Sequence, residues 1–410
     1  MTAATTPSIL EGIKVLDLTR VLAGPWCTQA LADMGATVWK IERPDGGDEL
    51  RMGAPHVMNA EGKATSLSHG FLSANRGKHS VSLDFTRPEG QRILQQLAAQ
   101  ADVLIENFKV GDLARYGLDY DSVRGIRPDI IYCSITGYGQ DGPLSSQPGY
   151  DPVFQAVSGI MSVSGHPDGE PGEGPMRCAV AYIDVTTGMI ATSGILGALF
   201  HRQRTGQGQR LDVALLDVAL ASTTYIAQKY VSAGLITNRA GNGSLLVSPS
   251  GAYPCEDGHV LIHAGNAGQW ERLCRCLGKP EWLQDERFTD RPTRLKHVKA
   301  VNDAISAVTQ HWKKQALADA LGAVGVPAGP VNSIAEAFDN PQVKHRNIAI
   351  SVEHPGLGAI SMVHSPFRFS QTPVQHRPAP ELGAQTDQVL KDVLGMDEQT
   401  IAALRRDKVC

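Results

Sequence analysis

The first third of the chain alternates short apolar runs with longer amphipathic stretches. The apolar runs predict strands at Ile13–Leu18, Thr37–Ile41, Ser80–Phe85, Val103–Phe108 and Ile130–Ile135. The amphipathic stretches predict helices from the Gly24-Pro25 break to about Met34, from Pro88 to about Gln100, and around Asp121–Gly125. Strands separated by helices in this way pair in parallel, so the pattern predicts an α/β fold with a doubly wound parallel sheet.

Ligands of such sheets bind beyond the carboxyl ends of the strands. The loops expected at that edge are Thr19–Pro25, Glu42–Asp48, Asn107–Gly111 and Thr136–Gly139. The first strand runs into TRVLAGP, so the G-x-G-x-x-G fingerprint of dinucleotide-binding sheets is missing. The partial match, Gly206-Gln207-Gly208, follows a helix and predicts a helix C-cap with a turn.

One apolar helix is predicted from Asp184 to about Gln203, and Thr205-Gly206 ends it. A further strand follows at Arg210–Leu215. Beyond about Gly241 the pattern changes to short strands in GAYPCEDGHVLIH, a helix at Trp270–Leu277 and a charged helical stretch at Arg294–Gln310. The tail combines Pro-rich connectors with a helical hairpin at Thr386–Leu394 and Asp397–Arg405.

These changes of pattern predict the domain organisation. A chain of 410 residues exceeds what one hydrophobic core usually organises. We predict a large domain at 1–215, a linker at 216–240, a small domain at 241–332 and a C-terminal return to the large domain at 333–410.

Composition narrows the possible partners and compartment. The 38 basic and 42 acidic residues leave a net charge of −4, which argues against a nucleic-acid surface. The seven cysteines are odd in number and scattered, which predicts free thiols in a reducing compartment. The sequence begins without a signal-peptide pattern, and no run approaches the roughly 20 apolar residues of a membrane span. We therefore predict a cytoplasmic protein without membrane association.

Asp184 is the strongest candidate for chemistry. It lies in the mostly uncharged run AVAYIDVTTGM at the start of the apolar helix. The ordinary interpretation is an N-cap aspartate that accepts hydrogen bonds from first-turn amides. The functional interpretation is a partly desolvated carboxylate that attacks an activated carbonyl. The local sequence is compatible with both.

Arg43 and Arg115 lie at or beyond predicted strand ends, where loops bind anions. They are candidate phosphate partners, although most arginines are simply solvated at the surface. The sequence has no H-E-x-x-H zinc spacing, so no metal site is predicted. It also has no G-x-S-x-G elbow, so serine hydrolysis is not favoured.

The order of these segments resembles one enzyme family. LEGIKVLDLTRVLAGP, ATVWKIERPDGGD, KHSVSLDFTRPEG, VLIENF, CSITGYGQDGP and PGYDPVFQAVSGIMSVSG follow one another as in the family III CoA-transferases. Asp184 with its helix, HRQRTGQGQ, GVPAGPVNS and LGAQTDQVLKDVLG continue the similarity to the chain end. Within that family the chain is most similar to the succinate–glutarate and succinate–hydroxymethylglutarate transferases.

The resemblance implies a Rossmann-like domain built from both chain ends, a small inserted domain and a homodimer of two interlocked chains. It implies that Asp184 is the catalytic nucleophile. It also implies coenzyme A and acyl-CoA as substrates, a carboxylic acid as second substrate, and no permanently bound cofactor. The implied CoA contacts are Val21, Leu22, Arg43, Leu83, Asp84, Phe85, Thr86, Asn107, Phe108, Lys109, Arg115, Ile135, Thr136, Gly137 and Tyr138.

The same fold is used by α-methylacyl-CoA racemases, which need a histidine in a G-H-D motif. Here the motif is Gly149-Tyr150-Asp151, so two-base proton exchange would lack one partner. This favours a transferase over an isomerase, and a non-catalytic CoA-binding scaffold is a third alternative. The segment GNGSLLVSPSG replaces the tetraglycine loop of formyl-CoA transferase, which argues against an oxalate or formate specialist.

The similarity to succinate–glutarate enzymes implies succinyl-CoA as donor and a short dicarboxylic acid as acceptor. A dicarboxylate needs one free carboxylate and a basic or amide-rich site for the other. Candidates for that site are Arg51, His79, Arg177 and the Asn266 loop, and amides of Gly265–Gly268 are candidate oxyanion donors.

Overall fold

The computed structural model describes residues 7–410. Its strands are β1 (Lys14–Asp17), β2 (Thr37–Glu42), β3 (His56–Met58), β4 (Ala64–Ser68), β5 (His79–Ser82), β6 (Val103–Glu106), β7 (Ile131–Thr136), β8 (Gly165–His166), β9 (Gly174–Pro175), β10 (Gln209–Ala214), β11 (Ser250–Cys255), β12 (Gly258–His263), β13 (Ala328–Pro330), β14 (Ala349–His354) and β15 (Gly358–Val363).

Its α-helices are α1 (Ala23–Asp33), α2 (His69–Ala74), α3 (Pro88–Gln100), α4 (Tyr120–Ile126), α5 (Asp151–Val157), α6 (Ile160–Val163), α7 (Tyr182–Thr205), α8 (Leu215–Ser222), α9 (Tyr225–Ala233), α10 (Ala267–Cys276), α11 (Arg291–Lys296), α12 (Val298–Thr309), α13 (Lys314–Ala323), α14 (Ile334–Asp339), α15 (Pro341–His345), α16 (Thr386–Leu394) and α17 (Glu398–Arg406). Short 3₁₀ helices lie at Glu49–Met52, Ala114–Tyr116 and Pro280–Gln284.

Six strands form one parallel sheet in the order β10-β7-β6-β1-β2-β5. In the centre of the sheet, Leu16 of β1 is in register with Trp39 of β2 and Leu104 of β6. All pairings within this sheet are parallel. The predicted parallel α/β sheet is therefore confirmed, with small differences at the strand ends.

Helices cover both faces of this sheet. Leu16 belongs to an apolar cluster that includes Leu94 of α3 and Leu390 of α16. The next residue, Asp17, accepts a hydrogen bond from Thr28 of α1. Successive side chains of a strand point to opposite faces, so α1 lies opposite to α3 and α16. Because α16 and α17 contribute to the cluster, both ends of the chain build this core.

The long helix α7 packs against α1, β7 and β10. Within residues 7–410 it is the one helix that is long and apolar enough to cross a membrane by length and composition. A core helix of a soluble protein passes the same test. Gly206 caps its carboxyl end with φ of 74°, so the predicted C-cap is confirmed.

The chain divides into two compact units. The first comprises residues 1–158, 178–227 and 344–410, of which residues 1–6 lie outside the described part, and contains the parallel sheet. The second comprises residues 159–177 and 228–343. Its core surrounds the antiparallel sheet β11-β12-β13 and includes Ile262, Trp270 and Leu317. The predicted small domain, 241–332, falls within its second segment, and the predicted linker, 216–240, contains α9 and most of α8.

Several elements have no counterpart among the sequence predictions. The antiparallel hairpins β3–β4 and β14–β15 share an apolar cluster that contains Leu67, Phe71, Ile360 and Met362. The second hairpin lies in the tail that was predicted as Pro-rich connectors. The charged stretch predicted as one helix at 294–310 forms α11 and α12, which are separated at His297.

Candidate active site

Asp184 lies in the first turn of α7, close to α1. Gly188, one turn further, packs so tightly that a Cβ atom there would lie 2.6 Å from the carbonyl oxygen of Ala23. Only glycine permits this approach of the two helices. The close packing brings the start of α7 to the loop that follows β1, at the carboxyl edge of the sheet.

The amino end of α7 is capped by a residue from another helix. Ala181 occupies the N-cap position and makes no side-chain capping bond. Instead Asp151, the first residue of α5, accepts hydrogen bonds at its Oδ2 from the amides of Ile183 at 2.8 Å and Asp184 at 3.2 Å. The interpretation of Asp184 as the N-cap is therefore wrong, because Asp151 satisfies the first-turn amides.

The Asp184 carboxylate accepts no hydrogen bond from the residues the structure describes. Burial raises its pKa from the ordinary value of 3.8 to about 7, and the negative charge of Asp151 adds to the increase. Burial disfavours the charged form because the surroundings solvate it less well than water does. A partly desolvated carboxylate of raised pKa is a more basic nucleophile than a solvated one, which is typical of functional sites.

A cavity of about 210 Å³ opens beside Asp184 at the carboxyl edge of the sheet. Most of its walls come from the loops after β1, β6 and β7. The sequence-predicted residues that line it are Val21, Leu22, Asn107, Phe108, Lys109, Ile135, Thr136, Gly137 and Asp184. The structure therefore brings loops that are distant in the sequence to one carboxylate.

A second cavity of about 170 Å³ shares Arg20 and Phe108 with the first. It lies at the carboxyl ends of β2 and β5. The sequence-predicted residues in its walls, besides Phe108, are Arg43, Leu83, Asp84, Phe85 and Thr86. The two cavities together contain all predicted CoA contacts except Arg115 and Tyr138.

Arg115 and Tyr138 line neither cavity. Arg115 is exposed and forms an ion pair with Asp112 at 3.5 Å. The Tyr138 ring packs edge-on against Phe154, with 5.1 Å between ring centroids. The sequence could not show these placements, because both residues follow strand ends just as the cavity-lining residues do.

The loop after β1 is held in an unusual conformation. Val21 has φ of 67°, which a β-branched residue rarely adopts. Its amide donates to Asp48 at 3.2 Å. On the other side, the Asn107 side chain accepts from the Arg20 amide at 2.9 Å and donates to the Arg20 carbonyl at 2.8 Å. Such strained positions persist where surrounding contacts determine them, and they cluster at ligand-binding loops.

Two buried ion pairs that the sequence did not predict lie beneath this loop. Lys40 contacts Asp48 at 2.8 Å, and Lys78 contacts Asp17 at 3.2 Å. Burial lowers the pKa of Lys78 to about 8, although the Asp17 charge opposes this change. The available signal was Lys40 inside the otherwise apolar strand TVWKI. A lysine at a buried strand position requires an acidic partner.

Arg51 and His79 were candidates for the second carboxylate of a diacid. Arg51 is buried and forms a bidentate pair with Glu42, at 2.7 and 2.8 Å. This prediction is therefore wrong, because the guanidinium is already occupied. His79 lines a separate cavity with His354 and Arg377, away from the residues around Asp184.

The remaining candidates belong to the second unit. The Gly265 amide donates to the Gln269 side chain at 2.8 Å, so this amide is not free to bind an oxyanion. Asn266 is the N-cap of α10 and accepts from the Gln269 amide. Arg177 is exposed.

The charges at the cavities indicate which residues could bind an anionic ligand. Arg20 and Lys109 line the first cavity and Arg43 lines the second. Arg20 also contacts Glu49 at 3.2 Å and lies over the Phe108 ring, 4.9 Å from its centroid. Within the described part of the chain, no three His, Cys, Asp or Glu side chains are arranged to hold a metal ion.

Comparison with known proteins gives a consistent result. The family model described as CoA-transferase family III matches residues 10–386. The chain is 44% identical over 386 residues to a succinate–glutarate CoA-transferase from Agrobacterium fabrum, covering 94% of this chain and 95% of that protein. It is 39% identical to the succinyl-CoA:glutarate CoA-transferase of Mus musculus, covering 96% of this chain and 88% of that protein.

The solved structures include a similar fold. The crystal structure of a CAIB/BAIF family protein from Brucella suis matches with a TM-score of 0.86 and 37% sequence identity. The match covers 95% of this chain and all of the Brucella chain.

Proposed function

The chain belongs to CoA-transferase family III, and we propose that it moves coenzyme A from succinyl-CoA to a short dicarboxylic acid with Asp184 as covalent nucleophile. The protein is a CoA-transferase, and CoA thioesters are its substrates. The similarity to the Agrobacterium and mouse enzymes supports succinyl-CoA and a glutarate-sized diacid. One observation supports Asp184 as the nucleophile most directly. Its partly buried carboxylate accepts no hydrogen bond from the described residues and lines the cavity formed by the strand-end loops.

In the first half-reaction, an Asp184 carboxylate oxygen attacks the thioester carbonyl of the donor. The C–S bond breaks, CoA thiolate leaves, and an aspartyl–succinyl anhydride remains. The thiolate then attacks the aspartyl carbonyl of this anhydride. A thioester between Asp184 and CoA forms, and succinate is released.

The second half-reaction runs these steps in reverse with the acceptor. A carboxylate of the acceptor attacks the aspartyl thioester, which releases CoA thiolate and forms a second anhydride. The thiolate attacks the acceptor carbonyl, and free Asp184 is regenerated. Each step exchanges one activated acyl group for another, so the sequence is balanced without an external energy source.

The two cavities are suited to the anionic and apolar parts of CoA. Arg43, Arg20 and Lys109 are the basic side chains in their walls. The strained loop at Val21 and the Asn107 clamp would hold the thioester end near Asp184. We propose the lining residues as CoA contacts and regard Arg115 and Tyr138 as weaker candidates, because they lie outside both cavities.

We also propose that the protein is a cytoplasmic homodimer of interlocked chains. Helices α5, α7 and α8 pack together and expose large apolar side chains, including Val157, Met189, Ile190, Phe200 and Leu220. Neighbouring helices that expose several large apolar side chains are typical of interfaces. The free thiols of all seven cysteines are compatible with a reducing compartment. Light scattering after gel filtration tests the dimer, and a monomer at micromolar concentration contradicts it.

Asp184→Ala tests the nucleophile. It should abolish CoA transfer while the fold and CoA binding are retained, because the other carboxylate that lines the cavity, Glu49, is paired with Arg20. Asp303→Asn is a matched control, since Asp303 lies at an exposed ion pair on α12. Mass spectrometry after trapping with hydroxylamine should find the modification on Asp184. Substantial turnover by repurified Asp184→Ala would contradict the assignment.

A panel of acids tests the acceptor class. Succinyl-CoA and acetyl-CoA are each incubated with C4–C6 diacids and with monocarboxylic acids, and the CoA esters are identified by mass spectrometry. The proposal expects a C4–C6 diacid to have the highest kcat/KM. Higher kcat/KM for monocarboxylates than for every diacid refutes it. Deuterium incorporation at the α-carbon of 2-methylacyl-CoA in heavy water, without transfer, would instead indicate an isomerase.

A further inference from the structure

Asp151 links the start of α5 to the start of α7, where Asp184 lies. Its carboxylate is 2% exposed, lies at the start of α5 and accepts the Ile183 and Asp184 amides of α7. Its other oxygen accepts from the Gln155 side chain at 2.6 Å. Gln155 in turn accepts from the Cys178 amide and donates to the Cys178 carbonyl, which ties down the segment before α7.

Asp151 accepts hydrogen bonds from two amides at the start of α7 and from the Gln155 side chain, whereas the Asp184 carboxylate accepts none from the described residues. Asp151 therefore places a fixed negative charge next to the carboxylate that must be ionised to react. This charge is the one that raises the pKa of Asp184 beyond the effect of burial.

Other ionisable groups surround α7 without this effect. Those on the elements packed against it, on α7 itself and in the cavity walls are, besides Asp151, Cys27, Asp33, Tyr132, Cys133, Arg210, Asp212, Asp217, Tyr182, His201, Arg202, Arg204, Arg20, Glu49, Lys109 and Tyr150. None of them contributes to the raised pKa of Asp184, so the neighbouring charge that matters is Asp151.

We propose that Asp151 is a positioning residue that fixes the backbone of Asp184 at the cavity and places a negative charge beside the nucleophile. The inference rests on the proposed role of Asp184 in CoA transfer. The fixed charge keeps Asp184 basic enough to attack a thioester, while the two amide bonds hold it at the cavity.

Asp151→Asn tests the charge, because an asparagine oxygen still caps a helix. The acid limb of the pH profile of kcat/KM, measured with succinyl-CoA and glutarate, should move down by roughly one pH unit. Gln155→Met is the matched control, since it removes the Gln155 bond to Asp151, together with the two bonds to Cys178, but retains the Asp151 charge. Its acid limb should stay at the wild-type pH. An unmoved limb in Asp151→Asn, or an equal movement in both variants, overturns the proposal.

A second measurement does not depend on turnover. The melting temperatures of Asp184→Asn and its parent are compared from pH 5 to 8.5, in the wild-type and the Asp151→Asn backgrounds. The midpoint of the pH-dependent difference should be lower in the Asp151→Asn background. If the midpoint shifts but the wild-type protein has no transferase activity, the proposed function fails, while the electrostatic effect of Asp151 on Asp184 stands. If the wild-type enzyme is active but the midpoint does not change, only the proposed effect of the Asp151 charge on Asp184 is refuted.

Asp151→Ser covers the case in which asparagine does not fold, because serine is also a good helix cap. It should show the same downward shift of the midpoint. If neither neutral cap yields a folded protein, the charge is required for folding and the proposed tuning role is refuted.

Discussion

Asp184→Asn should stabilise the protein more at alkaline than at acidic pH. The change removes an ionisable group with little change in shape, at a site where the charged form has no hydrogen-bond donor. The pKa of Asp184 rises from 3.8 to about 7 on folding. Because the folded pKa is raised, the linked stability is fully present below pH 3.8 and is lost as pH rises through about 7.

The magnitude follows from these two values. Their difference is about 3.2 pH units, and at 1.36 kcal/mol per unit the whole effect is about 4 kcal/mol. Of this, about 3 kcal/mol is lost between pH 5 and pH 8.5 in the wild type. The Asp184→Asn variant does not lose this stability, because asparagine stays neutral over the whole range. The melting temperature of Asp184→Asn should therefore exceed that of the wild type by several degrees more at pH 8.5 than at pH 5.

The assay is thermal unfolding followed by circular dichroism at half-unit pH intervals. Taking the difference between variant and wild type cancels groups that titrate equally in both proteins. Asp303→Asn, at an exposed pair, should show a difference that does not change with pH. A constant difference for Asp184→Asn across this range would refute the reasoning, because the Asp184 carboxylate would then be as well solvated in the folded protein as in water.

Three further substitutions test the site and its support. Arg43→Ala should raise KM for the acyl-CoA about tenfold, since a charge-assisted phosphate contact is worth roughly 1.5–3 kcal/mol. An unchanged KM would show that Arg43 does not bind the CoA phosphates. Arg51→Ala should lower the free energy of unfolding by about 3–5 kcal/mol, because it leaves the Glu42 charge buried without its partner. Urea unfolding measures this loss, and a surface-like loss below 1 kcal/mol contradicts the burial. Gly90→Ala would place a Cβ atom 2.1 Å from the Asp84 carbonyl oxygen, so it should destabilise the protein by about 1–3 kcal/mol. It should also raise KM for the acyl-CoA, because Asp84 lines the second cavity. Unchanged stability would refute the contact.

The local sequence determined the elements of the large parallel sheet. Hydrophobic runs of strand length, separated by amphipathic segments, predicted the strands, their parallel pairing and the loops that share the carboxyl edge, whereas the strand order came from the fold. The helix α3 was predicted with its observed ends, because Pro88 starts it and its apolar positions repeat at helical spacing. Asp184 was a candidate because it is the acidic residue of a mostly uncharged run at the start of an apolar helix, but an aspartate is common there, and the family resemblance supplied its proposed role.

The tertiary structure decided which polar residues meet. Asp151 and Asp184 are 33 positions apart, and no periodicity links them, so the capping role could not be assigned from sequence. Arg51 had the same features as a ligand-binding arginine until the fold placed it against Glu42. The hairpin β14–β15 has the period-two alternation of a half-buried sheet, with Ile350 and Ile360 on its apolar face, and the prediction missed it; that this face packs near Phe71 was decided by the fold. The hydrophobic pattern of the sequence indicates which residues face the core. Which polar residues contact each other depends on how distant segments of the chain pack, and this is fixed only in the folded protein.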